Sequence, residues 1–121
     1  MTGHKYFDSL IDVFPTLKTD IVEDDSIYFR MERFANYTNE QIKSKNLTEL
    51  NRCFDFQESQ LDTMDSDLEN ALLVSYCEAL LLGEYANEMD VIVKLMPPKL
   101  KLKFMEYEVY YHNLFNSYSD K

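Results

Sequence analysis

The chain has 121 residues, 45% hydrophobic and 28% charged, with two glycines, three prolines and a formal net charge of −10. That length suits one domain, residues 1–121, with a single core, and so few turn-forming residues exclude disorder and a turn-rich all-β fold. The N-terminal MTGHKYFDSL lacks the apolar run of a secretion signal, and no stretch reaches the ~18 apolar residues of a membrane span, so a cytoplasmic protein is expected.

Phe7, Leu10, Ile11 and Phe14 repeat at helical spacing until Pro15, which ends a first short helix. Leu17, Ile21 and Val22 form a second short piece, closed by Glu23, Asp24 and Asp25. Ser26 caps a longer helix whose inner face is Ile27, Met31, Phe34, Ala35, Thr38 and Ile42. This helix reaches about Lys45, and the weak helix formers Asn36, Tyr37, Thr38 and Asn39 leave its continuity near Thr38 open. Asn46 reads as a C-cap and Thr48 as an N-cap, with Leu50, Cys53, Phe54, Gln57 and Leu61 on the next helix.

The segment 66–82, SDLENALLVSYCEALLL, is the centre of the chain. Ser66 and Glu69 have capping-box spacing, and from Ala71 to Leu82 only Ser75 and Glu78 are strongly polar, so other elements must surround this helix. Glu78 calls for a narrow window to solvent or a lysine of the last helix. Gly83 stops the segment, Asn87 caps a short helix Val91 to Met96, and Pro98 opens the last one. There Leu100, Phe104, Tyr107, Tyr111, Leu114 and Tyr118 form the inward stripe. The expected fold is all-α, five to six antiparallel helices packed around 66–82.

Chemistry-bearing patterns are sparse. Asp65, Asp67 and Glu69 open like a calcium loop, but its sixth position is Asn70 instead of glycine and its twelfth is Tyr76 instead of glutamate. A di-metal carboxylate bundle needs two Glu-x-x-His pairs, and His112 has Val109 three residues before it. Cys53 and Cys77, with no histidine near either, read as buried thiols. With neither a glycine-rich phosphate loop nor a partnered nucleophile, no enzyme and no cofactor are expected.

Charge is the informative feature. No lysine or arginine lies between Arg52 and Lys94, a gap that holds ten acids. Such a field repels nucleic acid and anionic membranes and attracts a basic protein. Asp55, Glu58, Asp62, Asp65, Asp67 and Glu69 are the candidate partner-binding residues. Lys94, Lys99, Lys101 and Lys103 surround the start of the last helix and oppose its dipole. Glu84, Glu88 and Asp90, nearest in sequence, are expected to offset them, leaving the other acids to a partner.

The stretches FDSLIDVFPTLK, LNRCFDFQESQLD, LLVSYCEALL and MPPKLKLKFMEY span most of the chain and resemble a family of small, uncharacterised bacterial all-helical domains. That resemblance implies a compact helical fold without a known activity, and some small acidic proteins of this style look like immunity partners of secreted toxins. The leading expectation is therefore an interaction protein that neutralises a basic toxin or nuclease through the Asp55 to Asp90 surface. The alternative is a scaffold domain, homodimeric through the aromatic C-terminal helix at Tyr110 and Phe115.

Overall fold

An α-helix repeats every ~3.6 residues, so each step of four overshoots a full turn by about 40°, and a stripe spaced strictly by four spirals around the helix. Leu68, Leu72, Tyr76 and Leu80 have that spacing, yet all four are buried. The computed structural model, which describes residues 3–83 and 86–119 and the side chains of 5–83 and 87–114, shows how the mismatch is resolved. Helix α5 (66–81) starts as an α-helix at Ser66–Ala71, widens into a π turn at Leu72–Cys77 and ends as an α-helix at Glu78–Leu81. Within the widened turn the Glu78 amide donates to the Leu73 carbonyl five residues back. The turn underwinds the helix and keeps the stripe facing the core.

Before it come α1 (Gly3–Val13), a 3-10 turn (Pro15–Leu17), α2 (Lys18–Val22), α3 (Ile27–Ser44) and α4 (Leu47–Leu61). After it come a second 3-10 turn (Ala86–Glu88), α6 (Met89–Val93) and α7 (Pro98–Ser119). The fold is all-α. The described residues hold seven helices against the five to six expected, because α2 forms a separate five-residue helix, while the short helix expected at Val91 to Met96 is α6 at Met89–Val93. α3 lies along the widened turn of α5, α4 packs against α3 and α7, and α7 returns to the widened turn, so α3 and α7 flank α5. None of the described helices is long and apolar enough to cross a membrane.

Aromatic rings fill the space between α1, α3, α4 and α5. Phe34 is their hub, with centroids 5.2 Å from Tyr76, 5.4 Å from Phe14 and 5.9 Å from Phe56. Such tilted and edge-on pairs each add ~0.5–1.5 kcal/mol beyond burial alone. Buried polar groups in this core are matched with one another. Tyr6 Oη donates to Gln57 Oε1 at 2.6 Å, and Gln57 Nε2 reaches Met31 Sδ at 3.5 Å. Thr38 Oγ1 donates to the Phe34 carbonyl at 2.9 Å, which leaves it as acceptor for Tyr76 Oη at 2.8 Å.

That arrangement decides the continuity left open near Thr38, since α3 runs unbroken from Ile27 to Ser44. Tertiary burial of Thr38 outweighs the weak local propensity of its neighbours. Two cap assignments also shift, the C-cap of α3 by one residue and the N-cap of α4 by two. Lys45, in the left-handed conformation at φ 56°, is the C-cap of α3, and Asn46 caps α4 by accepting from the Glu49 amide at 3.2 Å. Ser26 caps α3 as expected, accepting from the Tyr28 amide at 3.2 Å.

Arg52 ties α1 to α4. It donates to the Val13 carbonyl at 2.9 Å and to Glu49 Oε1 at 2.5 Å, and its guanidinium lies 4.9 Å from the centroid of Phe14. Cys53 and Cys77 are buried and unpaired, as expected, and burial pushes both thiols up to about 12, so neither is a nucleophile. At the far end of α5, a Cβ on Gly83 would lie 2.7 Å from the Ala79 carbonyl oxygen. Asn39 Nδ2 donates to that oxygen at 3.4 Å, so glycine lets α5 end against α3.

The Thr38 and Tyr76 pair is open to a direct test. Thr38→Val removes the acceptor that the fully buried Tyr76 phenol has among the described residues and is expected to lower stability by ~1–3 kcal/mol. Tyr76→Phe in the Thr38→Val background should add little further loss, and urea titrations of the two single variants and the double measure that coupling.

Candidate functional site

The last helix begins with a charge problem. Pro98 has no amide to satisfy, and the Lys101 amide donates to the Pro97 carbonyl at 2.8 Å, which leaves the amides of Lys99 and Leu100. Glu58, on α4, accepts both: Lys99 at 3.1 Å through Oε2 and Leu100 at 2.7 Å through Oε1. A carboxylate from a distant helix thus serves as the N-terminal cap of α7 and favours its dipole. Lys99 Nζ pairs with Asp62, also on α4, and Lys103 Nζ pairs with Glu69 of α5 at 2.5 Å. Donating to Glu69 raises the pKa of Lys103, and donating to Asp62 raises that of Lys99.

These contacts correct the expected division of the acidic surface. Among the described residues, the carboxylates that meet Lys99, Leu100 and Lys103 are Glu58, Asp62 and Glu69. Glu88 and Asp90 are exposed, and Glu84 lies outside the described residues. Helix packing places α4 and α5 beside the start of α7. The expected capping box is corrected as well. Asp65 caps α5, its Oδ1 accepting from the Leu68 amide at 2.8 Å and its carbonyl from the Glu69 amide at 2.9 Å, because Ser66 is already the first helical residue. Of the six candidate acids, Asp55 and Asp67 are exposed without a hydrogen bond or ion pair among the described residues.

The outer face of α5 presents a different surface. Asp67, Asn70, Val74 and Glu78 follow one another along it at steps of three and four, and Val74 is 38% exposed. Two open depressions share Val74. One, of about 260 Å³, is lined by Glu32, Val74, Ser75, Glu78, Ala79 and Leu82. The other, of about 340 Å³, is lined by Asn70, Leu73, Val74, Tyr107 and Tyr110. Together they make a groove along α5 with α3 on one side and α7 on the other. Among the described residues its lining has two carboxylates, two tyrosines and several aliphatic side chains, and no cation.

Glu78 opens onto this outer face, the first of its two expected settings, and in place of a lysine of α7 it accepts from Tyr107 Oη at 2.5 Å. Burial and this carboxylate both push the Tyr107 phenol up, so it remains a donor at any physiological pH. The bond fixes Glu78 at mid-groove with hydrogen-bonding capacity left over. Asn70 Nδ2 donates to Tyr28 Oη at 3.0 Å and pins the groove to α3. Tyr110, 59% exposed, offers its ring face. The sequence search missed Glu32, Tyr107 and Tyr110 as a group because they converge only in three dimensions. The strict four-residue stripe of α5 was the available signal, since it implies a displaced outer face.

If Glu58 is the cap of α7, Glu58→Ala is expected to cost ~1–2 kcal/mol, while Asp55→Ala and Asp67→Ala stay within ~0.5 kcal/mol of the parent. Urea unfolding of the three variants side by side tests this.

No curated protein and no solved structure matches the chain. A family pattern does match, over residues 7–112, which takes in α3 to α6, the capped start of α7 and every residue that lines the groove. The chain belongs to the family described as Domain of unknown function (DUF7674).

Proposed function

We propose that this domain is a non-catalytic interaction module, acting in the cytoplasm, that receives a basic segment of a partner protein along the outer face of α5. The observation that carries this reading is the lining of the groove, where Glu32 and Glu78 flank aliphatic and tyrosine surface and no cation is present. A lysine or arginine entering it meets a carboxylate at its head and aromatic faces along its stem. The field supports the same choice, because the stretch from 53 to 93 has no lysine or arginine and the whole chain carries −10. That charge speeds encounter with a cationic protein and opposes nucleic acid and anionic lipid.

Within this reading the clamp acids Glu58, Asp62 and Glu69 hold α7, and the partner is met by Glu32, Glu78 and Asp67. Asp55, exposed on α4, lies on another part of the surface. Neutralisation of a basic toxin or nuclease, in the manner of an immunity protein, is the setting that best suits a small acidic domain.

The test is a binding titration against an arginine-rich peptide and against the protein encoded by the neighbouring gene. Glu32→Lys combined with Glu78→Gln, which keeps an acceptor for Tyr107, is expected to weaken binding at least tenfold at low salt and less at high salt. Asp55→Lys serves as control. Equal loss from both variants would refute the groove as the contact surface.

A further inference from the structure

Helix α7 is apolar on two opposite sides. Its inner face, Leu100, Phe104 and Tyr107, is buried in the domain. Its outer face carries Leu102, Met105 and Val109, which are 58%, 46% and 58% exposed. Packing within the domain accounts for the first set and leaves the second without a role. The spacing of the second set, three and then four, is that of a coiled-coil seam at positions a, d and a.

The residues beside the seam are patterned too. With Leu102 at position a, Lys101 and Glu108 both fall at g, and Lys99 and Glu106 both fall at e. Each pair is one heptad apart and opposite in sign. Lys101 and Glu108 have no hydrogen bond or ion pair among the described residues. Lys99 is partly committed to Asp62, and Glu106 lies 4.0 Å from Lys103.

We propose that the domain self-associates as an antiparallel pair through this outer face, Leu102 of each copy against Met105 of the other and Lys101 of each copy against Glu108 of the other. The charges select that direction. In an antiparallel pair g meets g and e meets e, so the register that stacks Leu102 on Met105 also sets Lys101 against Glu108 and Lys99 against Glu106, each twice. A parallel pair would join g to the following e, giving only Lys101 against Glu106. It would also bring Lys99, Lys101 and Lys103 of both copies together at one end. The antiparallel pair separates those lysines and opposes the two helix dipoles.

About three turns of helix from each copy form the seam, an interface at the low end of the known range, so association is concentration-dependent and sensitive to salt. Tyr107 and the groove lie on nearly the opposite side of α7 from the seam, which leaves self-association and partner binding separable.

Sedimentation equilibrium over a range of concentrations at low salt tests the proposal, with circular dichroism to confirm that each variant keeps its helicity. The parent chain is expected to show a monomer–dimer equilibrium. Leu102→Glu with Met105→Glu should abolish it. Lys101→Glu and Glu108→Lys should each raise the dissociation constant roughly tenfold, and an equimolar mixture of these two variants should recover parent-like association, since each then meets opposite charges. A parallel pair would leave Glu108→Lys unaffected, because no charged residue faces it there, and that result overturns the proposal. So does a parent chain that stays monomeric at every concentration, or a dimer that survives Leu102→Glu with Met105→Glu.

Discussion

Burial of a stripe spaced strictly by four residues is the constraint on which the rest of the molecule depends. Leu68, Leu72, Tyr76 and Leu80 can share one face of α5 only if a turn is underwound, and the turn at Leu72–Cys77 does this. Tyr76 then reaches Thr38, α3 lies flat along the widened turn, and the helix ends where Gly83 meets Ala79 and Asn39. The other side of the same turn is lifted into the outer face of α5, where Val74 and Glu78 form the floor of the groove. The geometry that closes the core therefore also creates the surface open to a partner.

Helix α7 is held by electrostatics as well as by its apolar inner face. A basic first turn opposes the helix dipole, and two amides there lack helical partners. Glu58 satisfies both amides, and Asp62 and Glu69 balance two of the lysines. Ion pairs this exposed contribute little singly, so the cap is the stronger element. Acids that look spare in a one-dimensional charge map are thus structural, and a net charge of −10 overstates the carboxylates that a partner can meet.

Much of the fold was legible because it is written in local spacing: the central segment, the cap at Ser26, Pro98 at the start of the last helix and the inward positions Leu100, Phe104 and Tyr107. The local errors have local causes. Asp65 and Ser66 are adjacent and both able to cap, and Asn46 suits either end of a loop. The continuity of α3 through Thr38 was not legible, since a buried hydroxyl pair 38 residues apart outweighs propensity. Nor was the role of Glu58, whose partners lie 41 and 42 residues away. Among the site residues, sequence could point to an acidic region but not sort it. Sorting it requires knowing which carboxylates face α7. Tyr118 and the Phe115 side chain, assigned to the inner stripe and to a dimer contact, lie outside the described side chains.

The central claim is that the acidic region is divided, with its α4 edge engaged in holding α7 and the outer face of α5 left for a cationic partner. Amide chemical-shift mapping of the isotope-labelled protein during titration with an arginine-rich peptide tests that division most directly. The account predicts shifts along residues 70–82 and at Glu32, Tyr107 and Tyr110, with Glu58, Asp62 and the amides of Lys99 and Leu100 unmoved. Shifts centred on Asp55, Glu58 and Asp62, with residues 70–82 silent, would contradict it.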